Sequence, residues 1–489
     1  SASEHSAGPD PTLQHELADS LGAAIARAEA LHAHEQILSL VETALPVMPH
    51  DVAAELREKA ALAALRLGDP DTAGVHVEAL MTLAEASGEP ALLHRAVAVA
   101  GKVANENRQA DRAAAVLEPH IARFPDLASD PNLARAAVYL ARARLLLGDD
   151  REAAELADTA LGAVEQLGML EEIADAMVTL GTALARSRIH QGMALLRGAV
   201  ELCRRHDLMD TKLRGLINIG YASFDLEETA RATREAFEES KRVGDRSHAD
   251  FVAGNLIGLS FYLLDLDTIE TLVTDPLLGT TATNRLGRLI SSTGLRRWQG
   301  NDEEAHRLLA EARALAADIS DAQALQDLER VEARMAFFDG DYRAVFEVGR
   351  RHFSESPFAP SLSAAIAVEG AVFDGEPLII EEARDMVAGL PPGSPTTAAL
   401  ERANAVLTLV SGDHGEAIRL ADDSIERLAE QGLGWDEYAT AAAMARHLPD
   451  GPGRDRYLER ARRIAEGANA NGLVAWLDRL PSGPPTTVD

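Results

Sequence analysis

The chain has 489 residues, 46% hydrophobic but only 4% aromatic, and its 47 basic and 78 acidic residues give a net charge of −31. Such an acidic balance repels nucleic-acid backbones and anionic lipid, so we expect no direct nucleic-acid or membrane binding. The single cysteine excludes a disulfide scaffold and favours a reducing, cytoplasmic setting, and no apolar run is long enough for a transmembrane helix.

The chain reads as one long helical array between two polar ends. Residues 1–12 are polar and proline-containing, and we predict a disordered N-terminal segment there. Helical periodicity then continues without a long interruption, which predicts a repeat domain over residues 13–480. Longer or proline-rich connections near residues 274–284 and 390–395 are candidate weak breaks in this domain. Residues 481–489 are predicted to form a flexible tail.

Turn signals recur along the chain at nearly constant spacing. The predicted interhelical turns are at His32, Gly68, Asn107, Gly148, Ser187, Asp225, Asp265, Gly300, Gly340, Asp374, Gly412 and Asp450. The chain exceeds the roughly 250–300 residues at which a single core stops growing, whereas a solenoid grows in one dimension. A period in the high thirties with two helices per period indicates helical repeats. The predicted fold is an all-α, right-handed solenoid of about twelve hairpins.

Four of these turns share a local pattern of Gly, then Asp or Asn, with Ala five residues after the Gly. They begin at Gly68, Gly148, Gly300 and Gly412, and their alanines are Ala73, Ala153, Ala305 and Ala417. Gly suits the left-handed end of the first helix, and the following Asp or Asn can cap the second. The Ala is expected where the two helices cross.

The stretch 172–265 shows the expected helical pairs most clearly. The first apolar stripe is Ile173, Met177, Leu180 and Leu184, and the next is Met193, Leu196, Val200 and Cys203. Both follow the 3.6-residue period, and small residues such as Gly181 allow a neighbouring helix to approach. Neither stripe can be hidden from water by its own helix, which favours packing of hairpin on hairpin.

The Gly-Asp turn with its Ala, together with Asn218-Ile219-Gly220, resembles the tetratricopeptide repeat (TPR), although the period is nearer 38 than 34 residues. Within residues 173–276, the runs GMALLRGAVELCRRHDL, RGLINIGYA and AFEESKRVGDRSHADFVAGNL resemble the C-terminal repeat region of large bacterial signalling ATPases. Those proteins carry an adenylate/guanylate cyclase domain or a LuxR-type DNA-binding domain. The resemblance implies a regulatory region, with the ATPase or effector in cis before residue 1.

Several departures limit what this chain does itself. The phosphate-loop pattern G-x-x-x-x-G-K-[ST] is absent, and no basic recognition helix follows the repeats. His32 and His34 lack further ligands at helical spacing and are interpreted as solvated turn residues rather than a metal site. Cys203 is interpreted as a core residue rather than a thiolate paired with His206. We therefore expect no enzymatic activity, no cofactor and no metal.

Basic islands also stand out on so acidic a chain. Arg296-Arg297 and Arg350-Arg351-His352 are interpreted as salt-bridged or solvated faces, with an anion or partner site as the alternative.

The candidate partner-binding residues come from repeat geometry. In stacked hairpins the first helices line the concave surface, where an extended protein or peptide partner binds. Asn218 and Asn255 occupy equivalent repeat positions, and Arg214, Tyr221 and Tyr262 are predicted near the same groove. The alternative is that each Asn bonds its neighbouring helix and orders the stack.

Three functions remain open from the sequence. The first is a non-catalytic regulatory scaffold that serves as the sensor region of a signalling ATPase. The others are a free-standing adaptor scaffold and a repeat domain that senses a small ligand.

Overall fold

A computed structural model describes residues 11–481 except 49, 224, 280, 320, 356–359, 391 and 392. The described residues form 25 α-helices, which confirms an all-α fold of about twelve helical hairpins. The predicted segment 1–12 and tail 481–489 lie outside the described residues except at 11, 12 and 481. No described helix is long and apolar enough to cross a membrane.

Consecutive helices pack against each other along most of the described chain. Their bounds are α1 Pro11–Ala30, α2 His34–Ala44, α3 His50–Arg66, α4 Pro70–Ser87, α5 Pro90–Glu106, α6 Ala110–Arg123, α7 Pro131–Leu146, α8 Asp150–Leu167, α9 Leu170–Ala185, α10 Ile189–His206, α11 Met209–Ala222, α12 Leu226–Arg242, α13 Arg246–Leu263, α14 Leu266–Thr274, α15 Ala282–Gln299, α16 Asp302–Ala316, α17 Ala322–Asp339, α18 Tyr342–Glu355, α19 Pro360–Asp374, α20 Pro377–Ala388, α21 Ser394–Val410, α22 His414–Glu430, α23 Gly434–His447, α24 Pro452–Gly467 and α25 Asn471–Leu477.

The chain divides into two compact units. The first contains residues 1–223 and 231–249, and the second contains residues 224–230 and 250–489. The division therefore passes through α12 and α13. The connections at 274–284 and 390–395 both lie inside the second unit.

The predicted turns agree closely with the helix ends. Eleven of the twelve turn residues lie in connections between helices, and Asp374 is the last residue of α19. The four alanines of the Gly-Asp pattern are fully buried: Ala73, Ala153, Ala305 and Ala417. The caps form in three of the four turns, where Asp69, Asn301 and Asp413 accept the backbone N–H three residues on. Asp149 makes no such bond, and its carboxylate lies 3.7 Å from Arg144 instead.

The two predicted apolar stripes differ in outcome. The stripe on α10 is confirmed, since its four residues are almost completely buried. Of the stripe predicted on α9 only Leu180 is buried, and its other three residues are half-buried. The most deeply buried residues of this helix include Ala174, Val178 and Thr179 instead. Helix α9 packs against α7, α8, α10 and α11, so it has little surface left for solvent. Where α9 and α10 cross, a Cβ on Gly181 would lie 2.9 Å from the Gly192 carbonyl oxygen, and only glycine fits there.

The first unit turns back on itself through ion pairs. Arg246 at the start of α13 donates to Glu35 of α2 at 3.0 Å. Arg66 at the end of α3 pairs with Asp210 of α11 and lies 3.3 Å from Asp245. Early and late helices of this unit are thus joined by charged side chains.

The second unit turns back on itself through aromatic rings. Trp298 of α15 stacks on Trp435 of α23 with ring centroids 4.8 Å apart, and Phe337 of α17 stacks on Trp476 of α25 at 5.1 Å. The full aromatic cluster is Phe261, Trp298, Phe337, Phe338, Tyr342, Phe373, Trp435, Tyr438 and Trp476. Rings in offset or edge-to-face contact add to the stability that their burial provides.

Candidate functional site

A layer of charged and polar side chains lies on the first helices of five successive hairpins in the first unit. We call it the ionic cluster: Arg66, Lys102, Glu106, Tyr139, Arg142, Glu171, Glu172, Asp175, Asp210, Thr211 and Arg214. These residues come from α3, α5, α7, α9 and α11. The space between them measures about 20 Å³, enough for roughly one water molecule. The cluster is therefore filled by its own side chains.

Arg66 is the hub of the ionic cluster. Its guanidinium contacts the carboxylates of Asp210 and Asp245 and lies 3.5 Å from the His248 ring. Burial alone lowers the pKa of Arg66, but the two carboxylates raise it above its ordinary value. Asp245 is 1% exposed, and although burial raises its pKa, His248 and Arg66 bring it down to about 2. Several opposite charges thus compensate each buried group.

A second set of pairs continues the cluster across α5 and α7. Arg142 donates to Glu106 at 2.8 Å. Burial raises the pKa of Glu106, but Arg142 and His248 hold it well below its usual range. Lys102 lies 3.9 Å from Asp210 and 6.0 Å from the centre of the Tyr139 ring.

Arg214, a predicted partner-binding residue, belongs to this cluster and is 7% exposed. Its guanidinium donates to the carboxylate of Asp175, to the Asp175 carbonyl oxygen at 3.0 Å, and to Thr179 at 2.5 Å. Burial lowers the pKa of Arg214, and Asp175 offsets this only in part. These bonds join α11 to α9 and order the stack.

Asn218 and Tyr221 lie on the same helix as Arg214. The Asn218 amide donates to the Arg214 carbonyl oxygen at 2.8 Å, a bond within α11 rather than to a neighbouring helix. Tyr221 is 56% exposed, and its hydroxyl accepts a hydrogen bond from Arg186 at 3.1 Å. Arg186 in turn pairs with Asp150 at 3.0 Å. Tyr221 is the one of these three that faces solvent substantially.

Asn255 and Tyr262, the other two predicted residues, lie on the part of α13 that belongs to the second unit. Asn255 is exposed and Tyr262 is half-buried. Burial and the nearby Asp436 carboxylate raise the pKa of Tyr262 above its ordinary value. The five predicted residues are thus divided between the two units, three in the first and two in the second.

The second unit has a smaller set of buried charges that the sequence analysis missed. Arg402 of α21 donates to the carboxylate of Asp436 on α23 and to Thr440 at 3.2 Å. Arg334 pairs with Glu369 at 2.8 Å and lies over the Trp435 ring. Burial raises the pKa of Asp436 and of Glu369, because it outweighs the nearby guanidinium groups.

Both units contain the same three-residue clamp. An Asp and a Thr four residues later, on one first helix, bind an Arg on an adjacent first helix: Asp175, Thr179 and Arg214 in the first unit, and Asp436, Thr440 and Arg402 in the second. The signal in the sequence was the spacing Asp-x-x-x-Thr on an apolar helix, since polar residues inside a buried face need hydrogen-bond partners.

The remaining candidates from the sequence are structural. The basic islands are ion-paired, for example Arg296 with Glu270 at 2.5 Å, Arg297 with Asp339 at 2.6 Å and Arg350 with Glu347 at 2.5 Å. Cys203 is fully buried, and burial raises its thiol pKa to about 12. Within the described residues, no group of three or more His, Cys, Asp or Glu side chains is placed to hold a metal ion.

No protein-family model matches the chain. No curated protein matches it either. Among solved structures, the chain is similar to a Rap protein complexed with competence and sporulation factor, at 11% identity, 78% of this chain, 100% of that chain and a TM-score of 0.47. It is also similar to the Cut9-Hcn1 hetero-tetramer of APC/C, at 12% identity, 94% of this chain, 90% of that chain and a TM-score of 0.42.

Proposed function

We propose that this chain is a non-catalytic regulatory scaffold that binds a protein or peptide partner on the first helices of its hairpins. The observation that supports it is the ionic cluster, in which charged side chains of both signs from five hairpins lie side by side and several of them are buried. Buried ion pairs add little net stability against an apolar replacement of the same size, whereas they add specificity of arrangement. A partner segment with charged side chains of its own can replace one member of such an ion pair. This costs less free energy than displacing residues from a packed apolar core.

The proposed partner surface on α11 has an exposed part and a part covered by neighbouring side chains. Tyr221 is the exposed part, and Asn218 and Arg214 lie behind it on α11. Because the cluster encloses about 20 Å³, a partner reaches Arg214 only by displacing Asp175 or Thr179. Binding is therefore coupled to a rearrangement of α9 against α11, which is a physical route for a signal. In the second unit, Asn255 is the exposed partner contact and Tyr262 lies behind it.

The finer proposal is that the chain is the sensor region of a multidomain signalling ATPase, with a cyclase or DNA-binding effector in cis. It is supported by the sequence resemblance over residues 173–276. The test is the mass of the native polypeptide in source-cell lysate, detected with an antibody against this chain. A band well above 52.2 kDa supports an attached effector, and a band at 52.2 kDa contradicts it and leaves the free-standing adaptor.

Partner binding itself is tested by capture from the same lysate with the chain as bait. The double variant Asn218→Ala, Tyr221→Ala should lose the captured partner while its circular dichroism stays unchanged. The matched control is Arg350→Gln, an exposed position whose ion pair lies within α18. Loss of helicity together with binding would instead assign Asn218 and Tyr221 to the stability of the stack.

The small-ligand alternative is favoured by one specific observation. A sensor of this kind requires space for its ligand, and the second unit contains an open, partly apolar cleft of about 580 Å³ whose lining includes Phe338, Arg446 and Trp476. Ligand pockets commonly measure ~300–1,000 Å³.

A further inference from the structure

Two buried histidines are bonded to each other where the start of α5 meets the end of α6. His94 Nδ1 and His120 Nε2 lie 2.8 Å apart, and the two residues are 6% and 8% exposed. Their ring centroids are 5.0 Å apart. We call them the histidine pair. Both lie in the first unit, and neither belongs to the ionic cluster or to the predicted partner residues.

Phe124, the residue that follows α6, covers the histidine pair. Its ring centroid lies 4.7 Å from that of His94 and 5.1 Å from that of His120. Pro119, one residue before His120, has no N–H, so the last turn of α6 lacks one backbone hydrogen bond. Side-chain contacts of the histidine pair and Phe124 therefore provide part of the attachment of this turn to α5.

The bond between the two rings depends on their protonation. A neutral imidazole donates through one nitrogen and accepts through the other, so one ring of the pair donates and its partner accepts. A first proton puts a charge into a buried site, which is costly. A second proton makes both facing nitrogens donors and leaves two like charges with ring centroids 5.0 Å apart. Acid therefore turns an attraction between α5 and α6 into a repulsion.

Charged groups on α6 itself do not favour protonation of the pair. Burial, His94 and Arg123 all lower the pKa of His120 from its ordinary value of 6.5. Arg123 is exposed, one turn after His120. The carboxylate of Glu118 pairs with Arg144 of α7 at 2.8 Å. His120 is therefore neutral near pH 7.

Carboxylates on the helices packed against α5 and α6 are engaged or exposed. Glu58 of α3 pairs with Arg95 at 2.5 Å, and Asp130 caps the start of α7. Three more carboxylates are exposed, at the end of α4, before α5 and after α6: Glu85, Glu89 and Asp126. Their charges are compensated or screened by solvent, so they do little to stabilise a charged histidine pair.

We propose that the histidine pair is a pH-sensitive contact, which releases the last turn of α6 and Phe124 from α5 in mild acid. Residues 119–130, which lead to α7, loosen, while the other helices of the first unit keep their packing. Because the pKa of His120 is lowered, the contact is intact above about pH 6.5 and is lost as the pH falls below that value. The inference does not rest on the scaffold role, because no predicted partner residue lies in this hairpin.

Hydrogen exchange of the full chain between pH 7 and pH 5, read by mass spectrometry, tests the proposal. Rates are corrected for the pH dependence of chemical exchange. Peptides that cover residues 119–130 should exchange at least about tenfold faster at pH 5 than at pH 7, whereas those from α9 and α10 should change less than about twofold. Unchanged protection of residues 119–130, or an equal loss of protection throughout the first unit, would overturn the proposal.

The double variant His94→Asn, His120→Gln replaces the histidine pair by amides that do not titrate. An Asn amide lies near the Nδ1 position and a Gln amide near the Nε2 position, so a hydrogen bond between the helices is retained. Residues 119–130 of this variant should exchange at equal corrected rates at both pH values. His190→Gln, at an exposed histidine of the first unit, is the control and should keep the tenfold response. A full acid response in the double variant would assign it to other groups and contradict the proposal.

Arg123→Gln keeps the test decisive if the buried double variant misfolds. This arginine is exposed, and the loss of its cation makes protonation of His120 easier. The pH at which residues 119–130 lose protection should therefore rise by roughly 0.3 pH units. The matched control is Arg112→Gln, at an exposed position of the same helix, which should leave that pH unchanged. No rise in Arg123→Gln, or an equal rise in both variants, would speak against the histidine pair as the responding group.

Discussion

The two units use the same hairpin repeat but close on themselves with different chemistry. In the first, ion pairs join distant helices, as when Arg66 of α3 pairs with Asp210 of α11. In the second, stacked rings do so, as when Trp298 of α15 meets Trp435 of α23. Burial of apolar and aromatic side chains stabilises a fold directly. In a buried ion pair, the attraction between the charges only about offsets the cost of removing both from water. We therefore expect the ion pairs of the first unit to add less net stability between distant helices than the stacked rings of the second.

The buried carboxylates show the same contrast. In the first unit, opposite charges lower the pKa of Asp245 and Glu106 despite burial, although burial raises that of Glu171. In the second unit, burial raises the pKa of Asp436 and Glu369 despite Arg402 and Arg334. The charges around Asp245 and Glu106 thus compensate one another more fully than those around Asp436 and Glu369.

The chain contains a separate probe for each unit, so this contrast is measurable in one molecule. Its single cysteine, Cys203, lies in the first unit, and its three tryptophans lie in the second. Because Cys203 is fully buried with a thiol pKa of about 12, it reacts with thiol reagents only when the first unit opens. Tryptophan fluorescence reports unfolding of the second unit.

The largest expected effect is that of Trp476→Ala on the second unit. The substitution removes a ring that contacts Phe337, Phe338 and Phe373 and leaves a cavity in the aromatic cluster. We expect a loss of about 3–5 kcal/mol in the free energy of unfolding. Urea unfolding followed by fluorescence of the remaining tryptophans measures it. Cys203 labelling should be unchanged, and an equal shift in labelling would show that the two units unfold as one.

The next effect is on the first unit, through the clamp. Arg214→Met leaves Asp175 buried without its cation and should cost about 3 kcal/mol, measured by the urea dependence of Cys203 labelling. Replacing the whole clamp, with Asp175→Leu and Thr179→Val added, should bring stability back to within about 1 kcal/mol of the original. A triple variant as unstable as the single one would mean that the clamp is a source of stability, and would remove the contrast between the units.

Acid should affect the second unit through His447. This residue is 6% exposed, and its pKa is lowered to about 4, mainly by burial and also by Arg446, while its bond to the Val372 carbonyl acts the other way. The unfolded chain binds the proton near pH 6.5, so stability is full above that pH and falls as pH decreases toward 4. The loss amounts to about 3 kcal/mol.

The control for this pH effect is His447→Asn, which keeps an N–H donor for Val372 but does not titrate. Fluorescence-detected unfolding at pH 7 and pH 4.5 should show a clearly smaller difference for the variant than for the original chain. An unchanged difference would assign the acid sensitivity of the second unit to other groups.

The sequence predicted the positions of helices and turns well, but it did not predict which buried side chains contact each other. Turn positions depend on nearby residues such as Gly68 and Asp69, so periodicity was sufficient to place them. The clamp partners Asp175 and Arg214 are 39 positions apart in the chain, and each alone looks like a surface charge. Only the folded stack shows that they meet.

The candidate site illustrates the same limit. Arg214 and Asn218 were selected as partner contacts because polar residues on a first helix suggest a groove. Whether a polar side chain faces a groove or a neighbouring helix depends on helix rotation by a few tens of degrees, which composition does not specify. The cleft at Arg446 and Trp476 was not predicted, because its walls come from turns more than a hundred residues apart.

Helix caps give the smallest effect and show what the two units share. Asp69 in the first unit and Asp413 in the second each accept a backbone N–H at the start of a helix, whereas Asp149 in the same sequence pattern does not. Asp69→Ala and Asp413→Ala should each cost about 1 kcal/mol, detected by Cys203 and by tryptophan respectively. Asp149→Ala should cost less than about 0.5 kcal/mol. Equal losses for Asp69→Ala and Asp413→Ala would show that the two units differ in their buried interiors and not in their helix caps. A much larger loss in one unit would show that its hairpin ends, and not its core chemistry, determine its stability.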